Sequence, residues 1–285
     1  MTQRLSVTHT TRLTYGGDVV ASFNEARMTP MSTSGQLMLR HDLTVSPVAR
    51  VQRYTDYWGT AVEAFDVHLP HHALTVASTS VVDTVERWRS APGVSWAELR
   101  DEAVVDRWCE FLEGSAFVDD PEADDDPSRA DVLVAMRRAP TPRAAIGLAI
   151  EAVRAQIAYT PGATHVHTSA GEAWAEGRGV CQDFSHNTLA LLRAVGIPAR
   201  YVSGYVHTED AEIGVPGVGE SHAWVEVWNG EWEAHDPTNG RPVAGAHVLV
   251  ARGRDYHDVS PLTGIYAGPL SQDPEVVVEV TRLAR

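Results

Sequence analysis

From Leu5 to about Val85 the chain alternates apolar and polar positions in short runs: Ser6–Tyr15, Val19–Met28, Gln36–Ser46, Ala61–Leu69 and Ala73–Glu86. The stretch Leu37-Met38-Leu39-Arg40-His41-Asp42-Leu43-Thr44-Val45 is one such alternation, and turn residues such as Gly16-Gly17-Asp18 punctuate the runs. A period of two places every second side chain on one face, so the runs predict an antiparallel sheet or β-sandwich. The pattern changes between Trp88 and Gly93. This sets the expected division into an N-terminal β domain over residues 1–88 and a second domain over 89–285.

Helical spacing follows. Asp101–Leu112 carries Val104, Val105, Trp108, Phe111 and Leu112 on one face, with Cys109 beside them as expected packing material. Asp119–Pro127 is so acidic that it reads as a solvated loop. Pro142 suits the first turn of a helix running to about Ala158, with Ile146, Ala149, Ile150, Val153 and Ile157 inward. A further helix begins near Cys181, where Phe184, Thr188, Leu191, Leu192 and Val195 recur, and Gly196-Ile197-Pro198 ends it. Ala199–Val206 reads as a buried strand, Thr208–Gly219 as a loop, and Ser221–Trp228 and Glu231–His235 as a hairpin around Asn229-Gly230. Val248–Ala251 and Glu275–Thr281 are later strands joined by a long connection, Asp255–Gly268. The whole is an α+β pattern without internal repeats.

Composition narrows the function classes. A hydrophobic content of 44% with 21% charged residues is ordinary for a globular protein, and no apolar run reaches membrane-spanning length. The net charge of −15 argues against nucleic acid or an anionic membrane as partner. There is no lysine, so the chain cannot offer a lysine amine to its own chemistry. Met1-Thr2-Gln3-Arg4-Leu5-Ser6 lacks the apolar core of a signal peptide, and Cys109 and Cys181 make no disulfide framework. A cytoplasmic location is expected.

The candidate chemistry gathers around Gly177-Arg178-Gly179-Val180-Cys181-Gln182-Asp183-Phe184-Ser185-His186. A cysteine at a helix start faces unpaired N–H groups and the positive end of the helix dipole, which favour thiolate. Downstream, His222 opens one hairpin strand and Asp236 closes the other, supplying a general base and a carboxylate to orient it. A two-residue Asn229-Gly230 turn would put His222 and Asp236 on opposite faces. A three-residue loop, Trp228-Asn229-Gly230 with Gly230 at positive φ, pairs Val227 with Glu231 and sets His222 directly opposite Asp236, about 5 Å away at Cβ. The expectation is the three-residue loop, with Trp224 facing Ala234 and Glu226 facing Trp232. Asp183 in the first helical turn reads as a site residue or as a capping group, and His186 as a group behind the site.

Three blocks, Gly179–His186, Ser221–Trp228 and His235–Asn239, resemble those of the transglutaminase-like superfamily in residue type, order and spacing. Asn24-Glu25-Ala26-Arg27, Asp56 with Gly59, and Arg254–Pro261 resemble its bacterial branch, in which an N-terminal β domain precedes the core. Ser185 stands where alanine is common and Thr60 where asparagine is, neither of them in the triad. The resemblance implies a papain-like core with Cys181 as nucleophile, His222 as base and acid, and Asp236 as orienting carboxylate. Tyr159 and Gln182 are candidates for a second oxyanion donor, with Asp183, His186 and Trp224 around the site. The expected reaction is acyl transfer on a peptide or protein amide, as hydrolysis rather than cross-linking. No metal or cofactor is called for. A binding module that has kept the fold and lost turnover is the alternative of another class.

Overall fold

The computed structural model describes residues 2–85, 92–123, 126–207 and 212–283. The N-terminal part is six strands: β1 (Thr2–Val19), β2 (Ala21–Ala26), β3 (Gln36–Ser46), β4 (Val51–Thr55), β5 (Ala61–Val67) and β6 (His71–Val85). The helical part contains α1 (Trp96–Leu99), α2 (Glu102–Trp108), α3 (Pro127–Arg137), α4 (Pro142–Gln156), β7 (Ala158–Tyr159), α5 (Ala170–Glu176), β8 (Arg178–Gly179) and α6 (Cys181–Ala194). Then come β9 (Ala199–Val206), β10 (Pro216–Trp228), β11 (Trp232–Asp236), β12 (Arg241–Pro242), β13 (His247–Gly253), α7 (Tyr256–Val259), β14 (Leu262–Ala267) and β15 (Glu275–Leu283).

Gly16-Gly17-Asp18 is no turn. Strand β1 runs through it, with a register irregularity between Thr14 and Val19 against β6, so the glycines serve a bulge. The nine-stranded sheet runs β12-β11-β10-β15-β1-β6-β3, with β9 pairing both β10 and β13. A four-stranded sheet has the order β14-β2-β5-β4. Between the two sheets, Tyr15, Val19, Met28, Phe65, Leu74 and Val76 form one core. The fold is thus mixed α+β, with antiparallel sheets in the N-terminal region.

The expected boundary at 88/89 falls among residues outside those described. Beyond it, β14 hydrogen-bonds to β2 and β15 to β1, so the C-terminal strands complete the N-terminal sheets. The connection expected over Asp255–Gly268 therefore contains a helix and a paired strand. The larger core also crosses the division, since Leu5, Val7 and Val82 cluster with Leu189, Leu191, Val225 and Val278.

Two other readings are corrected. Helix α2 buries no residue, and at Cys109 it tightens into a 3-10 turn that changes the phase of the expected stripe. Cys109 is exposed, while Trp108 and Phe111 turn into an aromatic cluster with Trp232. The acidic segment is also more than a solvated loop. Asp119 pairs at 2.9 Å with the fully buried Arg129 and accepts the Gly171 N–H, while Asp126 caps α3.

Helix α6 is buried from Gln182 to Arg193, on every side rather than along one stripe. Several of its polar residues find partners within the fold. Asn187 donates to the Asp183 carbonyl, Thr188 to that of Phe184, and Arg193 to the carbonyls of Ala199, Glu113 and Arg254. Burial pushes the Arg193 guanidinium down to about 10. Among the described residues no helix is long and apolar enough to cross a membrane.

Candidate active site

Cys181 is the first residue of α6, as the glycine-punctuated approach predicts. Asp183 fixes that start, its carboxylate accepting the Val180 N–H at 2.7 Å and the Thr164 hydroxyl at 2.6 Å. Burial raises the Asp183 carboxyl above its ordinary value, against the pull of those two hydrogen bonds. The capping role is therefore the one the geometry shows for Asp183. A Cβ at Gly179 would meet the Asp183 side chain at 2.7 Å, which explains the glycine in this tight approach.

The hairpin is offset by two residues from the expected register. Val227 pairs with Glu233 and Trp228 with Trp232, so the loop is Asn229-Gly230-Glu231, with Gly230 at φ 92°. Two observations account for the shift: it brings the Trp228 and Trp232 rings to 5.8 Å and packs both on Trp108, and it buries Asn229, whose side-chain Oδ1 accepts the Val94 N–H at 3.1 Å. Consequently Glu226 faces Ala234, and the expected pairs Trp224 with Ala234 and Glu226 with Trp232 are not made. A shift of two preserves side-chain parity. His222 and Asp236 therefore stay on one face and meet diagonally, with the imidazole Nε2 donating to Asp236 Oδ2 at 2.9 Å.

Asp236 is held by more than His222. Its Oδ2 also accepts from His247 Nε2 at 3.1 Å and Asn239 Nδ2 at 2.7 Å, and its Oδ1 accepts the N–H groups of Thr238 and Asn239. The ring tautomer of His247 follows, because its Nδ1 accepts the Ala244 N–H. Burial works to raise the Asp236 carboxyl, but hydrogen bonds from His222 and His247 hold it well below the usual carboxylate range. Burial likewise works to lower His222, and hydrogen bonds with Asp236 and the Cys181 sulfur outweigh it, raising the imidazole to about 9. With Nε2 committed to Asp236, Nδ1 is the nitrogen left for sulfur.

The remaining expected residues divide. Trp224 walls the site, its ring 6.1 Å from that of His222 and edge-on to His247 at 5.3 Å. It can lie there because the strand partner of His222 is Gly204, where a Cβ would come within 2.6 Å of the indole. Gln182 is buried and spends its side-chain N–H on the Val166 carbonyl. Tyr159 is half exposed on the short strand β7, its ring 6.4 Å from that of Phe184. His186 is fully buried behind the site, stacked on Phe117, and its Nε2 accepts the Tyr256 N–H.

Sequence reasoning missed His247 and the side-chain role of Asn239. Asn239 had a local signal, an Asp–Pro turn that returns the chain over the carboxylate. His247 had only the weak signal of an imidazole at the mouth of an apolar strand. His222, Asp236 and His247 also form a group with metal-ligand chemistry, their nearest atoms all within 4.8 Å. Those atoms sit at hydrogen-bond separations of 2.9 and 3.1 Å, with Asn239 on the same oxygen. That arrangement fits protons between the groups better than a cation among them.

Residues 130–237 match the transglutaminase-like superfamily core, and residues 5–83 the bacterial transglutaminase-like N-terminal region. An uncharacterized protein of Mycobacterium leprae is 44% identical over 99% of each chain. One of Mycobacterium tuberculosis is 32% identical over 93% of this chain and 88% of its own. A crystal structure from Cytophaga hutchinsonii, described as a candidate cysteine protease, aligns with a TM-score of 0.75 over 100% of this chain and 94% of its own at 21% identity, which shows the shared fold. This chain belongs to the transglutaminase-like superfamily, with the bacterial N-terminal region ahead of the core.

Proposed function

We propose that this protein is an enzyme of cysteine-dependent acyl transfer that hydrolyses amide bonds in peptide or protein substrates, with Cys181 as nucleophile, His222 as base and acid, and Asp236 as the orienting carboxylate. The observation that carries this reading is the placement of His222, whose Nε2 donates to Asp236 Oδ2 at 2.9 Å on the strand that packs against the helix beginning at Cys181. The ring is 7% exposed, yet it is raised to about 9 by an anionic partner on one side and the Cys181 sulfur on the other. Such a ring takes the thiol proton and keeps it while the thiolate attacks.

In the proposed cycle the Cys181 sulfur bonds to the carbonyl carbon, and the oxyanion forms beside the first-turn N–H groups of α6. The C–N bond then breaks, and the proton held by His222 passes to the leaving amine. Water, deprotonated by His222, attacks the thioester, releasing a carboxylic acid and restoring the thiol. Throughout, Asp236 stabilises the positive ring and fixes its rotation, and His247 and Asn239 keep Asp236 in place.

The test is to incubate the protein with a panel of peptide amides, with and without an added primary amine, and to weigh the products by mass spectrometry. Hydrolysed product that requires Cys181 supports the proposal. Amine-linked product in place of acid would replace water as the acceptor. Absence of both from a broad panel, with Cys181 no more reactive to iodoacetamide than Cys109, would overturn the enzyme reading in favour of a binding module.

A further inference from the structure

The turn that holds Asp236 is itself held by an arginine. The chain leaves β11 at Asp236 and doubles back, with the Gly240 N–H donating to the Asp236 carbonyl at 2.9 Å and Gly240 at φ 62°. Within the turn, the N–H groups of Thr238 and Asn239 donate to Asp236 Oδ1 at 3.1 and 3.0 Å. The carbonyl ends of the same two peptide units, those of Pro237 and Thr238, both accept from Arg154 Nη1, the first at 3.2 Å. A trans peptide is planar, and its C=O and N–H point in opposite directions. Each unit is therefore a rigid strut with the guanidinium at one end and the carboxylate at the other. The positive charge also polarises both units, which strengthens the two hydrogen bonds to Asp236.

Asn239 and Gly240 are exposed, so that side of the turn has little packing of its own. Arg154 lies directly against it, since a Cβ at Gly240 would come within 2.6 Å of the guanidinium carbon. Arg154 is in the last turn of α4. Arg143, in the first turn, lies about three turns away on nearly the same side of the helix and pairs with Glu233 of β11 at 2.7 Å. The two arginines thus tie one helix to both ends of one strand. Helix α4 buries Ala145, Ile146, Ala149 and Val153 in the core that holds Leu189, Leu191 and Leu192 of α6, the helix that begins at Cys181. Arg154 therefore links the helix layer that carries the thiol to the turn that carries the carboxylate.

We infer that Arg154 is a positioning residue for the proposed reaction: from α4 it holds the two peptide units whose N–H groups aim Asp236 at His222. The inference rests on the acyl-transfer reading for its catalytic consequence.

The test uses full-length protein with isotope-labelled histidine, comparing Arg154→Met, Arg154→Lys and Arg143→Met with the wild type. The His222 titration is followed by NMR, kcat and KM are measured on a peptide amide that the wild type hydrolyses, and melting confirms that each variant is folded. The titratable groups around the His222 ring, Cys181, Asp236 and His247, are the same in all four proteins. Removing a positive charge near His222 would by itself raise its midpoint, whereas loosening Asp236 lowers it, so the two consequences of Arg154→Met have opposite signs. Arg154→Met should lower the midpoint from about 9 by about half a unit or more, and kcat by roughly tenfold with KM within about twofold. Arg154→Lys, which keeps a cationic donor, should restore most of both. Arg143→Met cuts the other tie between α4 and β11 and should leave both near the wild type. A midpoint unchanged or raised in Arg154→Met, an equal fall in Arg143→Met, or a fall with unchanged kcat would overturn the role of Arg154 and leave the Cys181 chemistry standing. A lowered midpoint in Arg154→Met beside a wild type that hydrolyses no peptide amide would leave the tie to Asp236 standing and remove the acyl-transfer reading.

Discussion

His186 and His222 make a controlled comparison inside one molecule: two buried histidines, each near an aspartate, in regions that use them oppositely. In the interior of α6, burial and the charge of Arg193 outweigh the pull of Asp255 and push His186 down to about 3. The Asp255 oxygens accept the Phe117 and His257 N–H groups, and His186 itself accepts a backbone N–H from Tyr256. In the β10–β11 hairpin the Asp236 oxygen takes the imidazole N–H directly, and the Cys181 sulfur lies on the ring's other side, so His222 rises to about 9. Desolvation alone makes a histidine neutral. A hydrogen-bonded anion reverses that, and the reversal is what a proton-transfer group needs.

The largest effects should come from removing the chemistry itself. Cys181→Ser should lower kcat by at least about a thousandfold, with the melting temperature changed by only a few degrees. His222→Ala should do nearly as much damage and also remove the preference of iodoacetamide for Cys181 over the more exposed Cys109. Labelling at equal rates in the wild type would break the comparison at its active end.

Next in size, Asp236→Asn should cost roughly ten- to ten-thousand-fold in kcat, because an amide can hold the ring but not stabilise its charge. The alkaline limb of the pH–rate profile should lie near 9 in the wild type. In the variant it should fall towards the ordinary imidazole value of about 6.5. An unmoved limb would show that Asp236 does not set the charge of His222.

The stability consequences have opposite signs. His222, raised to about 9, contributes stability that is fully present below its unfolded value of about 6.5 and is lost as pH rises through 9. His186, lowered to about 3, destabilises progressively as pH falls below about 6.5, by up to about 1.4 kcal/mol per pH unit. His186→Phe should therefore flatten acid unfolding by close to one proton between about pH 6 and pH 4, measured from urea midpoints at each pH. It should also lower stability at neutral pH by about 1–3 kcal/mol, since the Tyr256 N–H loses its acceptor.

The smallest effect is expected at His247. Replacing it with Gln preserves a donor towards Asp236 and should reduce kcat only a few-fold, with the alkaline limb lowered by less than about one unit; His247→Leu should do more on both counts. A change in KM alone would assign His247 to the wall rather than to the support of Asp236.

Much of the site was legible because its rules are local. Glycines before an apolar helical stripe put Cys181 at a helix start, and side-chain parity put His222 and Asp236 on one face even though the register was off by two. The register itself was not legible. It depended on Trp108, over a hundred residues away in sequence, offering a surface for Trp228 and Trp232. Cys109 was misplaced for a related reason, since the 3-10 turn that exposes it accompanies the docking of Trp108 and Phe111. His247 lies on β13, which pairs with β9 rather than β11, so only the order of strands in the sheet brings it to Asp236.

The sequence by itself determined the alternation of the strands, the helix that begins at Cys181 and the three residues to which the proposed chemistry is given. These follow from periodicities and end effects that act over a few neighbouring residues. Tertiary structure alone decided that β14 and β15 return to complete the N-terminal sheets, that a second imidazole shares Asp236, and that His186 is lowered while His222 is raised. Strand pairing across the whole chain and the balance of desolvation against a nearby charge depend on which distant groups arrive at the same place, which no local pattern encodes.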